Sequence, residues 1–254
     1  MPFIRSHAVT KVGPLHASTP VLSRENARSL DRCAEQDFGL PILMLMENAA
    51  RGVAELALHL LERRLADGFL VVCGTGNNGA DGLAAARLIA NAGRRVSVLV
   101  LAKLPPPAAP FGDPFAVQLH LLRSMQIPII FADDHPAPLQ RSLRNAAPVG
   151  MLIDAITGTG FSTPLRPAAA AMVREINALR LTPPSPIILS VDLPSGMDAD
   201  TGAGLNEAVI PDATITFAAP KKGMLQSQLP LGELYVGDLG LPAELVSAYT
   251  ERSA

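Results

Sequence analysis

Phe69-Leu70-Val71-Val72-Cys73-Gly74-Thr75-Gly76-Asn77-Asn78-Gly79-Ala80-Asp81-Gly82 joins five apolar residues to a turn with glycine at four of its nine positions. A helical pattern follows from about Asp81 to Asn91, closed by Gly93, and then a second apolar run at Val96–Leu101. Apolar runs without polar alternation, separated by helices, are what a parallel sheet covered on both faces requires. Its strands have no wet face on which to place polar residues.

The same alternation extends in both directions. Upstream, Ser23 is a candidate N-cap for a helical pattern through Ala27, Leu30 and Ala34. Gly39 and Pro41 stop that helix and start the next, whose apolar stripe runs from Pro41 to about Leu65 through Met46, Ala50, Val53, Ala57 and Leu61. Downstream, apolar runs lie at Pro128–Phe131, Val149–Asp154, Ile187–Asp192, Ala213–Phe217 and Glu233–Val236. Helical stretches fall near Phe115–Met125, Leu139–Ala147 and Ala168–Leu179. Pro105, Pro106, Pro107 and Pro110 read as a stiff loop inside the domain, because the alternation resumes beyond them. The expected fold is α/β: a three-layer, open, Rossmann-like, mostly parallel sheet with helices on both faces. It fills a single domain over residues 21–254, preceded by a flexible extension over residues 1–20.

Composition narrows the function. Apolar residues make up 48% of the 254, enough for a substantial core, and charged residues only 17%. The 21 Lys and Arg nearly balance 23 Asp and Glu, leaving −2. Such a chain has no general pull on nucleic acid or on an anionic membrane. No clean apolar run approaches the roughly 20 residues that span a bilayer. Cys33 and Cys73, the two cysteines, exclude a disulfide framework and read as reduced and buried, as in a cytoplasm. Met1–Arg24 carries Arg5, Lys11 and Arg24 before the first acid, Glu25, a faint likeness to an organelle transit peptide that leaves targeting by residues 1–20 open. The five histidines are scattered without ligand spacing, so no histidine-bound transition metal is expected.

On an open parallel sheet, ligands bind outside the carboxyl ends of the strands. Three turns there carry chemistry. Gly74–Gly82 contains G-x-G-x-x-G between a strand and a helix, the context of a dinucleotide fingerprint. Yet the next strand ends at Ala102-Lys103 with no acid for a ribose hydroxyl, and Asp81 at the expected helix start would repel a pyrophosphate. Asn77 and Asn78 place amide donors and oxygen acceptors in one tight turn; a plain strand–helix turn is the bland alternative. In Ile153–Leu165, Asp154 closes a strand, and Thr159, Ser162 and Thr163 with free backbone N–H groups make a neutral anion cradle. The alternative there is Asp154 as a local turn cap. In Ser190–Gly202, Asp192 ends an apolar strand, where desolvation is expected to raise its pKa towards a working acid/base value. Asp198 and Asp200 read as solvated turn formers, and Asp198-Ala199-Asp200-Thr201-Gly202 lacks the closing Glu of an EF-hand.

Taken together, Leu45-Met46-Glu47-Asn48-Ala49, Gly76–Gly82, Asp154-Ala155-Ile156-Thr157-Gly158-Thr159-Gly160 and Val191-Asp192-Leu193-Pro194-Ser195-Gly196-Met197-Asp198 resemble the NAD(P)H-hydrate epimerase family, the YjeF N-terminal domain. Phe217-Ala218-Ala219-Pro220-Lys221-Lys222-Gly223 and Val236-Gly237-Asp238-Leu239-Gly240-Leu241-Pro242 look like its closing segments. The similarity runs from about Val21 to Val246, and the combination in this order is specific.

The resemblance implies repair of a damaged cofactor. The enzyme interconverts the R and S forms of hydrated NADH and NADPH (NADHX, NADPHX) so that a separate, S-specific dehydratase can act. It implies that Asn77, Asn78, Gly79, Ala80 and Asp81, together with Gly158, Thr159, Gly160, Phe161, Ser162, Thr163 and Pro164, bind the substrate. Asp192 matches the substrate-contacting aspartate and is the expected acid/base. Asn78, Asp154 and Ser195 match potassium ligands, one K+ per subunit. An amide oxygen, a carboxylate and a hydroxyl suit a large monovalent cation better than zinc. A homodimer is also implied, with Pro41–Leu65 offering apolar surface, and the dehydratase is expected on another polypeptide. Ala80 and Ala50 depart from the family by standing where glycine is usual, and a positive φ at Ala80 would be strained by its methyl group. Lys103 and Lys221 are within reach of a 2′-phosphate in principle but read as surface lysines.

Two other functions compete. The same domain serves as a non-catalytic binding or dimerisation module in RNA-decapping proteins, which would call for a basic face that −2 does not suggest. A hydride-transferring dehydrogenase is disfavoured by Ala102. Asn78, Asp154, Asp192 and Ser195 occurring together favour the epimerase.

Overall fold

The computed structural model describes residues 8–62, 66–102, 112–132, 139, 149–181 and 183–252. Eight strands form one sheet: β1 (Val9–Lys11), β2 (Gly68–Cys73), β3 (Val96–Val100), β4 (Ile129–Phe131), β5 (Val149–Ala155), β6 (Ile187–Val191), β7 (Ala213–Phe217) and β8 (Glu233–Gly237). Their order is β1-β8-β7-β6-β5-β2-β3-β4, parallel throughout except where β1 runs antiparallel along β8. From β2 the chain moves outward to β3 and β4, and from β5 it moves the other way to β6, β7 and β8. The order therefore reverses between β2 and β5, with Cys73 paired to Ala155 at their carboxyl ends. Loops diverge there and leave a crevice.

Seven helices are described: α1 (Arg24–Gln36), α2 (Ile42–Leu61), α3 (Asn77–Asn91), α4 (Pro114–Ser124), α5 (Pro167–Ala178), α6 (Lys222–Gln226) and α7 (Ala243–Tyr249). Ser23 caps α1, its Oγ accepting from Asn26 N at 3.2 Å, and Gly39 breaks the chain with φ +65° before α2. Alternate strand residues face opposite layers. Phe69, Val71 and Cys73 pack with the first four helices, while Leu70 and Val72 pack with Val173 and Ile176 of α5. Every residue of β2 is buried, which is why the sequence shows no alternation there. A fully buried Phe or Leu at such a position contributes about 1.5–3 kcal/mol over an exposed one. Among the described residues, no helix is long and apolar enough to cross a membrane.

Several expectations are corrected. The helix expected from about Asp81 begins at Asn77. Gly79 therefore lies inside the first turn, where a Cβ would sit 2.0 Å from Gly74 O. The glycine is there to let helix and turn touch. Ala80 is helical and fully buried and is not among the positive-φ residues, so its methyl carries no backbone strain. The extension expected over residues 1–20 contributes β1 to the sheet, held by Val9 opposite Gly237 and Lys11 opposite Tyr235. A three-residue edge strand is too short to show a period. The helix after Pro41 ends at Leu61, short of Leu65. Cys33 is only half-buried, its thiol donating to Asp37 Oδ2 at 3.0 Å. Pro105–Pro110 and the helix expected over Leu139–Ala147 lie outside the described residues, Leu139 excepted.

Candidate active site at the sheet reversal

A cavity of about 630 Å³ opens at the reversal between β2 and β5. The turn after β2 and the start of α3 form one side, and the 156–166 loop after β5 another. Asp192, Ala218 and Lys221 enter from the ends of β6 and β7, and Ile42, Leu45 and Met46 of α2 supply an apolar wall. Of the residues expected to bind substrate, Asn77, Asn78, Asp81, Gly158, Thr159, Gly160, Phe161, Thr163 and Pro164 line the cavity. Gly79 and Ala80 are buried in the first turn of α3 behind it, and Ser162 is exposed on the outside of the loop.

Asp192 occupies the left-handed region, φ +66°, which aspartate tolerates better than most residues. Its Oδ2 accepts from both Thr159 N and Thr159 Oγ1 at 2.6 Å. Lys221 Nζ lies 3.0 Å from Oδ1. A Cβ on Gly158 would sit 2.7 Å from Asp192 Oδ2, so glycine is what admits the carboxylate to this loop. Burial works to raise the Asp192 carboxyl, but the Lys221 ammonium and the Thr159 hydrogen bonds outweigh it and hold it below its ordinary value. The expected upward shift is therefore corrected: desolvation acts, and a buried cation overrides it.

That cation is not the surface lysine that the sequence suggests. Lys221 is instead 3% exposed, its Nζ also donating to Thr216 Oγ1 at 2.7 Å and to Phe217 O at 3.2 Å. Its Nζ also donates to Ala219 O at 3.4 Å, and Ala218, between these two carbonyls, has φ +61°. The signal available is its place in the turn after an apolar strand, four residues past Phe217, as Asp192 directly follows β6 and Asp154 lies near the end of β5. Asp31 on α1 was also missed; it lines the cavity from a helix whose sequence shows only amphipathic spacing. Asp31 is solvent-exposed, yet desolvation by the cavity walls, opposed by Lys221 and reinforced by Asp192, raises its carboxyl. Burial first, then the charges of Asp192 and Asp31, push Asp81 well above its ordinary value towards the neutral form.

Asp154 is wholly buried. Its Oδ2 accepts from Ser190 Oγ at 2.8 Å and Ser195 N at 2.9 Å, and its Oδ1 from Ser195 Oγ at 2.5 Å and Ile156 N at 3.4 Å. Burial raises this carboxyl, and the hydrogen bonds from Ser195, Ser190 and Ile156 pull back without cancelling the shift. Ser195 Oγ also accepts from Thr157 N at 2.9 Å, tying the second loop to the third. Asn78 stands beside the same loop: a Cβ on Gly158 would lie 3.1 Å from its Cγ. Both Asn78 Oδ1 and Nδ2 are buried without a hydrogen-bond partner among the described residues. Asp198, expected to be solvated, is 7% exposed, with Oδ1 accepting from Asp200 N, Thr201 N and Thr201 Oγ1.

The family model for the YjeF-related protein N-terminus matches residues 42–223. This chain belongs to that family. Within the YjeF-related N-terminus family, the NAD(P)H-hydrate epimerase of Rhodopirellula baltica is 34% identical over 233 residues, covering 91% of this chain and 88% of its own. That of Limosilactobacillus fermentum is 36% identical over 210 residues, covering 83% and 89%. The bifunctional NAD(P)H-hydrate repair enzyme Nnr of Moorella thermoacetica is 35% identical, covering 86% of this chain; the match spans only 40% of that longer protein. The crystal structure of yeast ynu0, YNL200c, superposes with a TM-score of 0.76 at 22% identity, over 92% of this chain and 95% of its own, and shares the fold.

Proposed function

We propose that this chain interconverts the R and S epimers of hydrated NADH and NADPH, an isomerase reaction of nicotinamide-cofactor repair. The observation that carries the reading is Asp192: a carboxylate fixed by Lys221 and Thr159 inside the cavity that both glycine loops line. The naming of relatives that match it over nearly their whole length supports the same reaction.

The reacting carbon carries a hydroxyl and is bonded to the ring nitrogen. Its configuration inverts if the nitrogen lone pair expels the oxygen, giving a cationic ring, and water then adds to the opposite face. An ionised Asp192 stabilises that positive charge and accepts the proton of the incoming water. Asp81, held towards its neutral form across the cavity, is the neighbouring carboxyl able to give a proton to the departing oxygen. Thr159 and Gly160 of the second loop and Asn77 of the first line the cavity and are placed to hold the dinucleotide.

Asn78, Asp154 and Ser195 are the residues that would hold a potassium ion. The unpartnered, buried Asn78 oxygen favours it, since such a group in a native core asks for a partner. Ser195 keeps a lone pair for the purpose, whereas Asp154 would exchange one of its hydrogen bonds for the cation. Bound there, K+ would supply a fixed positive charge beside the two substrate loops. Exposed Phe38 and Met44 at the α1–α2 junction supply apolar surface for the homodimer. The S-specific dehydratase is proposed as a separate chain and the cytoplasm as the compartment, in keeping with two unpaired cysteines.

The test supplies R-NADHX with an S-specific dehydratase, with and without this protein. Consumption of the R pool faster than its spontaneous epimerisation is the expected result; an unchanged rate at high protein concentration sinks the reading.

A further inference from the structure

Behind the Thr159 loop lies a set of contacts that the reaction as described does not use. Arg24 opens α1, and its side chain is only 16% exposed. Its Nε donates to Thr159 O at 3.0 Å and its Nη2 to Phe161 O at 3.1 Å. The same Nη2 donates to Asp198 Oδ2 at 2.6 Å, and Nη1 lies 3.4 Å from Asp200 Oδ2. Arg24 N donates to Asp200 Oδ1 at 2.8 Å. Two carboxylates of the third loop thus aim the guanidinium, whose other donors reach two carbonyls of the second loop. Thr159, gripped by its carbonyl on one side, grips Asp192 through its N–H and hydroxyl on the other.

We propose that Arg24 is a positioning residue for this reaction, clamping the 159–161 loop so that Thr159 holds Asp192 at one place in the cavity. The proposal rests on Asp192 being the reacting carboxylate. Arginine is needed because a planar fork serves two carbonyls and a carboxylate at once, which an ammonium point charge cannot. The leverage is geometric: misplacing a reacting group by about 1 Å costs on the order of 10²-fold in rate.

The experiment compares the wild-type protein with Arg24→Ala and Arg24→Lys, and adds ethylguanidinium, the fragment that the alanine change removes. Arg24→Ala is expected to lose roughly 10- to 100-fold in kcat, millimolar ethylguanidinium to restore part of it with saturation, and Arg24→Lys to remain impaired. Unchanged kcat in Arg24→Ala, full activity in Arg24→Lys, or absence of rescue overturns the clamp. Amide exchange gives a readout independent of turnover. Protection at Thr159 and Phe161 should fall in Arg24→Ala and recover with ethylguanidinium, while α5 and the sheet keep theirs. Unaltered loop protection overturns the clamp, and global loss of protection assigns Arg24 to folding instead. Loop loosening in a protein without epimerase activity would overturn the reaction assignment while leaving the clamp in place.

Discussion

Two aspartates end adjacent parallel strands, and their surroundings give them opposite characters. Asp154 at the end of β5 meets only neutral donors, Ser190 Oγ, Ser195 N and Oγ and Ile156 N, and burial still raises its carboxyl. Asp192 after β6, less deeply buried, meets a buried ammonium and is held below its ordinary value despite desolvation. Strand-end position confers desolvation on both; at Asp192 the Lys221 charge, with the Thr159 hydrogen bonds, reverses its sign. The difference teaches how one strand-end position yields a carboxyl that joins loops in one case and a carboxylate that lines the cavity in the other.

The comparison breaks most visibly at Asp192. Asp192→Asn, near-isosteric and neutral, should keep the fold and lose roughly 10²–10⁴ in kcat, the usual worth of acid–base catalysis. Steady-state kinetics decide it: normal turnover with a raised KM makes Asp192 a binding group only. Removing the charge that separates the two aspartates comes next. In Lys221→Met, Asp192 loses a partner worth about 1–3 pKa units, so the acid limb of the kcat–pH profile should move upward by that amount. An unmoved limb would mean that Asp192 does not set it. Asp154→Ala should act on stability and KM, leaving kcat nearly intact. Stranding the donors of Ser190 and Ser195 costs about 1–3 kcal/mol, measurable by urea unfolding.

The smallest effect calibrates the set with a third aspartate. Burial raises the Asp198 carboxyl, but the hydrogen bond from Arg24 and those from Thr201 and Asp200 overcome it and hold it at about 2. A group depressed in the folded state stabilises above its unfolded pKa, near 3.9, and loses that contribution as pH falls through the folded value. Asp198→Asn should therefore be less stable than wild type at neutral pH, with the gap closing between about pH 4 and pH 2. A gap that persists in acid would assign the loss to hydrogen bonding alone.

Sheet, strand positions and the three loops were legible because they rest on patterns that tertiary packing enforces. Buried strands must be apolar, and glycine must stand where backbone touches backbone, as Gly79 does against Gly74. The start of α3 was not legible, because asparagine suits a turn and a first helical turn alike. Lys221 was hidden by a prior about lysine rather than by lack of signal. Asp31 and Arg24 were beyond pattern reading: they reach the site from α1, a helix far away in sequence that only the folded chain brings to the cavity.

Both margins of the sheet end in strands of three residues, β1 at one side and β4 at the other. An unprotected margin invites another chain to add itself by backbone pairing. With β1 in place, β8 is covered along Tyr235–Gly237, and Lys11 also reaches Glu233 Oε1 at 2.5 Å. The short segment before α1 thus works as a stopper. It limits how far one molecule's sheet can be continued by the next, and it lets a five-residue strand such as β8 exist without becoming a template for aggregation.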